Sequence, residues 1–170
     1  VQAAVIGDFA FEPRYQGAGS SMVNSTKVDS IKDMLESSGI SVTGIVHGYQ
    51  RDGKEDEAMK KEAVDLARRS DVVLFFFGLN EKSETEGLDR KHLRIPQNQI
   101  NLIQELAKAN ANMIGIISAG SVIEMPWHHH FKALLHTALM GQAGAGAVLD
   151  ILSGKINPSG KLAETYIKKY

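Results

Sequence analysis

The stretch Asp71–Gly78, DVVLFFFG, begins with a single aspartate and continues as an unbroken run of apolar residues. A strand with one wet face alternates polar and apolar residues, whereas a continuous apolar run is typical of a strand that is buried on both faces. Strands of this kind occur mainly in parallel sheets with helices on each side. The stretch therefore predicts the centre of a parallel sheet.

The segments on either side of this stretch alternate between strand-like and helical patterns. Short apolar runs predict further strands, and segments with apolar residues at every third or fourth position predict helices between them. The predicted strands are Val1–Gly7, Ile40–Val46, Met113–Ser118 and Lys132–Leu139, and the predicted helices are Thr26–Ser38, Asp56–Arg69, Gln97–Ala109 and Gly144–Leu152. This alternation favours an α/β fold, with a mostly parallel sheet sandwiched between helices.

Composition limits the classes of function. A chain of 170 residues with 43% hydrophobic residues is long enough for one sizeable core, so residues 1–170 are expected to form a single domain. The net charge of -1 provides no electrostatic reason to expect nucleic acid or a membrane surface as a partner. No apolar run reaches the roughly 18 residues that span a bilayer. The absence of cysteine excludes thiol catalysis and leaves the cellular compartment undetermined.

Two loops that follow predicted strands are far longer than the common loop of about 2–6 residues. We call residues 8–26 the N-terminal loop and residues 79–96 the acidic loop. Ligands of open parallel sheets bind at the carboxyl ends of the strands, where both loops begin. A carboxyl group that donates a proton at neutral pH needs a raised pKa, and crowded carboxylates can raise it. The acidic loop is a candidate for this chemistry because it holds Glu81, Glu84, Glu86 and Asp89.

Other motifs have more ordinary interpretations. The glycine-rich segment Gln16–Ser21 lacks the Gly-Lys-Ser/Thr ending of a phosphate-binding loop, which favours a role at an interface or cleft edge. His128–His130 are consecutive and point in different directions, so no metal site is expected there, and nothing else indicates a cofactor. Trp127 and the three phenylalanines Phe75–Phe77 are expected to pack inside the protein.

Five segments, in this order and spacing, resemble the second domain of glycoside hydrolase family 3, the β-glucosidase family. They are AVIGDFAFEPRYQGAGSS (Ala4–Ser21), FGLNEKSETEGLDR (Phe77–Arg90), LRIPQNQINLI (Leu93–Ile103), IEMPW (Ile123–Trp127) and GQAGAGAVLDILSGKINPSGKLAET (Gly141–Thr165). The resemblance covers nearly the whole chain. It implies a six-stranded (α/β)6 sandwich that packs against a separate (α/β)8 barrel, and it identifies the chain as a fragment that lacks this barrel.

The resemblance also implies roles for particular residues. In such enzymes the barrel carries the nucleophilic aspartate, and the sandwich domain supplies the glutamate that acts as general acid and base. The Glu-Gly-x-Asp-Arg pattern assigns that role to Glu86, with Glu84 as the alternative, and assigns support of the loop to Asp89 and Arg90. The family segment that corresponds to the N-terminal loop faces the barrel, which implies interface or cleft positions for Arg14, Tyr15, Gly17, Gly19, Ser20 and Ser21.

Two functions remain open on these grounds. The first is a half-site that completes the cleft of a retaining β-glycosidase acting on terminal β-linked sugars, in which case the isolated chain is expected to be inactive. The second is a non-catalytic domain for carbohydrate binding or assembly. In the first case the partners are the barrel domain of the same protein and a small carbohydrate. A surface that normally contacts a barrel is also expected to promote self-association of the isolated chain.

Overall fold

The computed structural model describes all residues, 1–170, and has a five-stranded parallel sheet at its centre. The strands are β1 (Ala3–Ile6), β2 (Val42–Val46), β3 (Val72–Gly78), β4 (Met113–Ser118) and β5 (Ala133–His136), in the spatial order β2-β1-β3-β4-β5. Every neighbouring pair is parallel. The parallel α/β prediction is confirmed, and the predicted central run forms the central strand β3.

The helices cover both faces of the sheet. They are α1 (Ile31–Ser38), α2 (Glu57–Arg68), α3 (Gln97–Ala109) and α4 (Gly144–Leu152), and short 3-10 helices form at Asp8–Ala10 and His128–His130. One hydrophobic cluster joins one face of the sheet to α2 and α3, and a second joins the other face to α1 and α4. No helix is long and apolar enough to cross a membrane.

Strand β3 explains why both clusters form. Successive side chains of a strand point to opposite faces of the sheet. Accordingly, Phe75 and Phe77 belong to the cluster under α2 and α3, whereas Leu74 and Phe76 belong to the cluster under α1 and α4. All four are almost completely buried, which confirms that the phenylalanines are core residues.

The number of strands differs from the six implied by the family resemblance. The segment after α4, residues 153–170, forms no strand, and most of it is exposed. It is held by a few contacts, among them a hydrogen bond of 2.9 Å from the Met125 N–H to the Ile167 carbonyl and a distance of 2.7 Å between the Tyr166 hydroxyl and His136 Nε2. These contacts tie the segment to the domain without extending the sheet.

One helix begins later than its sequence pattern predicts. The pattern places the start at Thr26, but α1 begins at Ile31, because Ser30 is extended and its hydroxyl accepts a hydrogen bond from the Asp33 N–H. Serine is a favoured N-cap because it satisfies a backbone donor that has no partner inside the helix. The Asp29 N–H meanwhile donates to the Gln142 carbonyl at 2.9 Å. Residues 26–30 therefore lengthen the connection that carries the N-terminal loop.

Candidate active site at the carboxyl edge of the sheet

The N-terminal loop and the acidic loop lie side by side beyond the carboxyl ends of β1 and β3. Ala18 and Thr85 form an isolated parallel bridge, and the Glu86 N–H donates to the Ala18 carbonyl at 3.3 Å. Backbone groups paired in this way hold one loop against the other. The position of Glu86 therefore depends on the N-terminal loop.

The Glu86 side chain is exposed, and its hydrogen bonds within the chain come from one residue. Its Oε2 atom accepts hydrogen bonds from the Ser20 backbone N–H, at 2.9 Å, and from the Ser20 hydroxyl. The hydroxyl and then the backbone N–H of Ser20 lower the pKa of Glu86, because both hydrogen bonds favour the charged carboxylate. Crowded carboxylates would raise the pKa of Glu86. In this structure its pKa is lowered instead, which favours the charged carboxylate.

Gly19 allows the two loops to approach this closely. Its φ of +98° lies in the left-handed region that residues with a side chain rarely adopt. A Cβ atom at this position would lie 2.7 Å from Glu86 Cβ and 3.2 Å from Glu86 Oε2. Glycine at position 19 therefore leaves the space that the Glu86 side chain occupies beside Ser20.

Glu84, the alternative acid, faces its own chain. Its side chain is only 12% exposed. Its carboxylate accepts hydrogen bonds from the Gly120 N–H, at 2.9 Å, and from the Ser121 hydroxyl. These contacts tie the acidic loop to the loop after β4 and hold Glu84 at the wall of an open depression, whereas the Glu86 side chain is exposed.

Arg14, which the resemblance places at the interface or cleft, has a side chain that is almost completely buried in this domain. Its side chain is 1% exposed and forms ion pairs of 3.8 Å with Glu81 and with Glu84. The guanidinium also donates to the Gln16 carbonyl and, at 3.2 Å, to the Glu84 carbonyl. Burial lowers the pKa of Arg14, and the two glutamates partly offset this effect. Arg14 therefore braces the N-terminal loop against the acidic loop from beneath.

Replacing Arg14 tests this brace. We expect Arg14→Met, which keeps most of the side-chain length, to lower the free energy of unfolding by about 2 kcal/mol, because it leaves the largely buried Glu84 carboxylate without its cation. Urea unfolding of the chain measures the effect. The matched control is Arg68→Met on α2, where the exposed pair with Asp65 should change stability by less than about 0.5 kcal/mol. Equal effects of the two substitutions would contradict a bracing role for Arg14.

The other predicted interface residues are more accessible. Tyr15 is half-buried, and its hydroxyl accepts a hydrogen bond from Gln16 at 2.8 Å. Ser20 and Ser21 are exposed, as is Gly19. Gly17 borders an open depression of about 430 Å³ between the N-terminal loop, the acidic loop and the loop after β4. Gly19 and Ser20 therefore lie directly beside Glu86, whereas Gly17 lies at the depression, whose lining includes Glu84 and not Glu86.

The two residues expected to support the acidic loop differ in their contacts. Arg90 is partly buried and donates a hydrogen bond of 2.5 Å to the Val122 carbonyl, so it connects the acidic loop to the loop after β4. Asp89 is exposed and forms neither a hydrogen bond nor an ion pair with the rest of the chain. Asp89 therefore has no polar partner in this domain through which it could hold the acidic loop.

A second ionic cluster at this edge was missed from the sequence. Arg51 donates to Asp8 at 2.6 Å and makes a bidentate contact with Glu81, at 3.1 and 2.7 Å. Burial is the largest influence on the pKa of Glu81 and would raise it, but the hydrogen bonds from Arg51, a backbone hydrogen bond and the charges of Arg51 and Arg14 together lower that pKa. The three residues of this cluster each follow a strand closely: Asp8 follows β1, Arg51 follows β2 and Glu81 follows β3. Charged residues after three neighbouring parallel strands are the sequence pattern that could have predicted the cluster.

Trp127 and the histidines, which the sequence analysis also considered, make contacts within the fold. Trp127 is buried and packs edge-on against Phe77, with ring centroids 5.0 Å apart. His128 and His129 each contact a carbonyl three residues earlier through Nδ1, at 2.9 and 3.0 Å. No group of three or more histidine, aspartate or glutamate side chains is arranged to hold a metal ion. The site is therefore the part of the edge around Glu86.

These features define a class of protein: a parallel α/β domain in which two long loops present one carboxylate at the carboxyl edge of the sheet. Residues 2–170 match the glycosyl hydrolase family 3 C-terminal domain. The chain belongs to this family, and it corresponds to the C-terminal domain of these glycoside hydrolases.

Individual relatives agree with this placement. The chain is 44% identical over 164 residues to an exo-α-(1→6)-L-arabinopyranosidase of Bifidobacterium breve. This alignment covers 95% of the chain and 22% of that protein. It is 42% identical over 167 residues to thermostable β-glucosidase B of Acetivibrio thermocellus, covering 96% of the chain and 22% of that protein. A crystal structure of a Bifidobacterium adolescentis GH3 β-glucosidase superimposes with a TM-score of 0.93 at 42% identity, covering 99% of the chain and 25% of the other. The chain thus spans about a quarter or less of the length of these proteins.

Proposed function

We propose that this chain is the acid/base domain of a retaining β-glycosidase, similar to β-glucosidases, which hydrolyses terminal β-linked sugars. The single observation that carries the proposal is the Glu86 carboxylate, which is exposed on paired loops at the carboxyl edge of the sheet. Membership of glycoside hydrolase family 3 supports the reaction class, and several relatives are named β-glucosidases. Glu86 first protonates the leaving group and then, as a carboxylate, removes a proton from water.

The mechanism needs a second carboxyl group that this chain does not bring to Glu86. Retaining glycosidases place two carboxyl groups about 5–5.5 Å apart, one of which attacks the anomeric carbon. The nearest candidate along the chain, Glu84, is bound by Gly120, Ser121 and Arg14. The attacking aspartate therefore comes from the barrel domain of the same protein, and the carbohydrate binds between the two domains.

The surroundings of Glu86 change when such a cleft closes. Exposure to water and two hydrogen bonds from Ser20 now favour the carboxylate. Exclusion of water and a nearby second carboxylate both disfavour that charge and raise the pKa toward the range that a general acid requires. Domain assembly thus accounts for a raised pKa that the domain on its own lacks.

The surface around Glu86 has properties that suit this docking. Met22 and Val23 on the N-terminal loop and Leu88 on the acidic loop are 60%, 65% and 68% exposed. Large apolar side chains that stay exposed on loops beside a site are typical of surfaces that another domain covers. The barrel is the proposed occupant, and the same residues account for the expected self-association of the isolated chain.

Azide rescue tests the assigned role in the intact enzyme. In a Glu86→Ala enzyme, the glycosyl-enzyme intermediate forms from a substrate with a good leaving group but lacks the base that activates water. Azide needs no base and meets no carboxylate charge, so it should increase turnover at least roughly tenfold. Product analysis by NMR should find a glycosyl azide with the configuration of the substrate.

The matched control is Glu84→Ala on the same loop. Glu84 is proposed to hold the loop, so its removal should yield no glycosyl azide. Normal hydrolysis by the Glu86→Ala enzyme, with no azide product, would contradict the proposed function.

A further inference from the structure

We propose that Ser20 is a positioning residue that holds the Glu86 carboxylate during its successive roles as acid and base. The proposal rests on the acid/base function proposed for Glu86. It concerns a residue on a different loop, 66 positions away in the chain, that contacts Glu86 directly.

The geometry gives Ser20 control of one carboxylate oxygen. The backbone N–H and the hydroxyl of Ser20 both donate to Oε2 of Glu86, and Oε1 makes no hydrogen bond within the chain. The Glu86 backbone is fixed separately by its N–H donation to the Ala18 carbonyl. Main chain and side chain of Glu86 are thus both held by residues 18–20, and the free oxygen can face a sugar.

Gly19 is an independent sign that this contact is built into the loop. Any side chain there would meet the Glu86 Cβ and Oε2 atoms, and the backbone at Gly19 has a conformation that favours glycine. The turn at Gly19 brings both Ser20 donors to the same side, under the carboxylate. The contact therefore needs the residue pair Gly19-Ser20 and not only a nearby hydroxyl.

No charged group of the domain competes with Ser20 for influence on Glu86. On the acidic loop, Glu84 is directed to Gly120 and Arg90 to Val122, and Asp89 forms no ion pair. On the N-terminal loop, Arg14 pairs with Glu81 and Glu84. Ser20 is the group within the chain that lowers the pKa of Glu86.

The lowering of the Glu86 pKa by Ser20 matters in the second half of the reaction, when Glu86 acts as a base. By then Glu86 has given its proton to the leaving group, and a dry cleft disfavours the resulting charge, so solvent could protonate Glu86 again before it accepts a proton from water. The two donors of Ser20 oppose that protonation because they stabilise the carboxylate. Ser20 thereby keeps Glu86 able to act as the base that activates water.

The pH dependence of the intact enzyme tests this inference. The basic limb of kcat/KM reports loss of the proton from the general acid in the free enzyme. In Ser20→Ala one donor to the charged form is lost, so this limb should move to higher pH, by roughly half a unit. Ser20→Thr keeps the hydroxyl and should restore the limb of the unmodified enzyme. Ser25→Ala is the control, because Ser25 lies on the same loop and its hydroxyl makes no hydrogen bond.

The outcomes separate this inference from the proposed function. An unchanged basic limb in Ser20→Ala, including one with activity reduced equally at every pH, overturns the role of Ser20. If Glu86→Gln still affects only substrates with poor leaving groups, the acid/base function stands while the inference fails. If Glu86→Gln has no such effect, the proposed function and the inference both fail.

Discussion

Glu86→Gln in the intact enzyme is expected to reduce kcat/KM for substrates with poor leaving groups by about 10²–10⁴-fold, the usual contribution of general acid catalysis. A poor leaving group, such as an alkyl alcohol, must be protonated as the glycosidic bond breaks. An activated aryl leaving group departs as an anion without that proton, so its kcat/KM should fall far less. Glutamine has nearly the shape of glutamate but has no proton to donate at neutral pH, so the comparison isolates proton transfer.

Glu84→Gln supplies the control for this result. Glu84 is bound within the domain by Gly120, Ser121 and Arg14, and its replacement should disturb the loop that carries Glu86. A disturbed loop lowers the rates for good and poor leaving groups by similar factors. A Glu86→Gln enzyme that keeps both rates nearly unchanged would favour the alternative, a non-catalytic domain for carbohydrate binding or assembly.

The second large effect concerns the chain on its own. The purified 170-residue chain should not hydrolyse aryl β-glucosides, whereas the intact enzyme should hydrolyse them. The reason is chemical: Glu86 supplies only the proton, and the carboxylate that attacks the anomeric carbon is proposed to come from the barrel domain. An activated aryl glucoside in a continuous colour assay gives the most sensitive measurement, because its departure needs no acid.

Contamination is the main risk in such an assay, and a variant of the chain controls for it. For a glucoside with a poor leaving group, whose hydrolysis depends on Glu86, turnover that is equal in preparations of the chain and its Glu86→Gln variant comes from another enzyme. Turnover that the substitution abolishes would show that the chain holds a complete site, which would contradict the half-site proposal.

The elements of the fold follow closely from local sequence. The apolar run of β3 and the helical pattern after Pro96 predict Val72–Gly78 and Gln97–Ala109 almost to the residue, because burial on two faces and a proline-led helix start leave strong patterns. The start of α1 was predicted five residues early. Residues 26–30 carry a weak helical pattern, but Ser30 caps the helix and Asp29 pairs with Gln142 across the fold.

The roles of the charged loop residues were less predictable. The family resemblance implies an interface position for Arg14, which is buried, and the sequence indicates no role for Arg51, which joins Asp8 to Glu81. Loop sequences have no periodicity from which to read the direction of a side chain, and an arginine in a loop is usually solvated. The burial of Arg14 depends on two glutamates about 70 residues further along the chain.

The sequence alone was therefore sufficient to predict the parallel α/β architecture, because the burial of each strand and helix leaves a pattern in its own residues. It was also sufficient to select Glu86, through the family resemblance. Folding decided which glutamate of the acidic loop reaches solvent and which is bound, and it placed Ser20 under Glu86. The physical reason is that these choices depend on hydrogen bonds between loops that are distant in the chain. Such bonds exist only once the sheet has brought the carboxyl ends of its strands together.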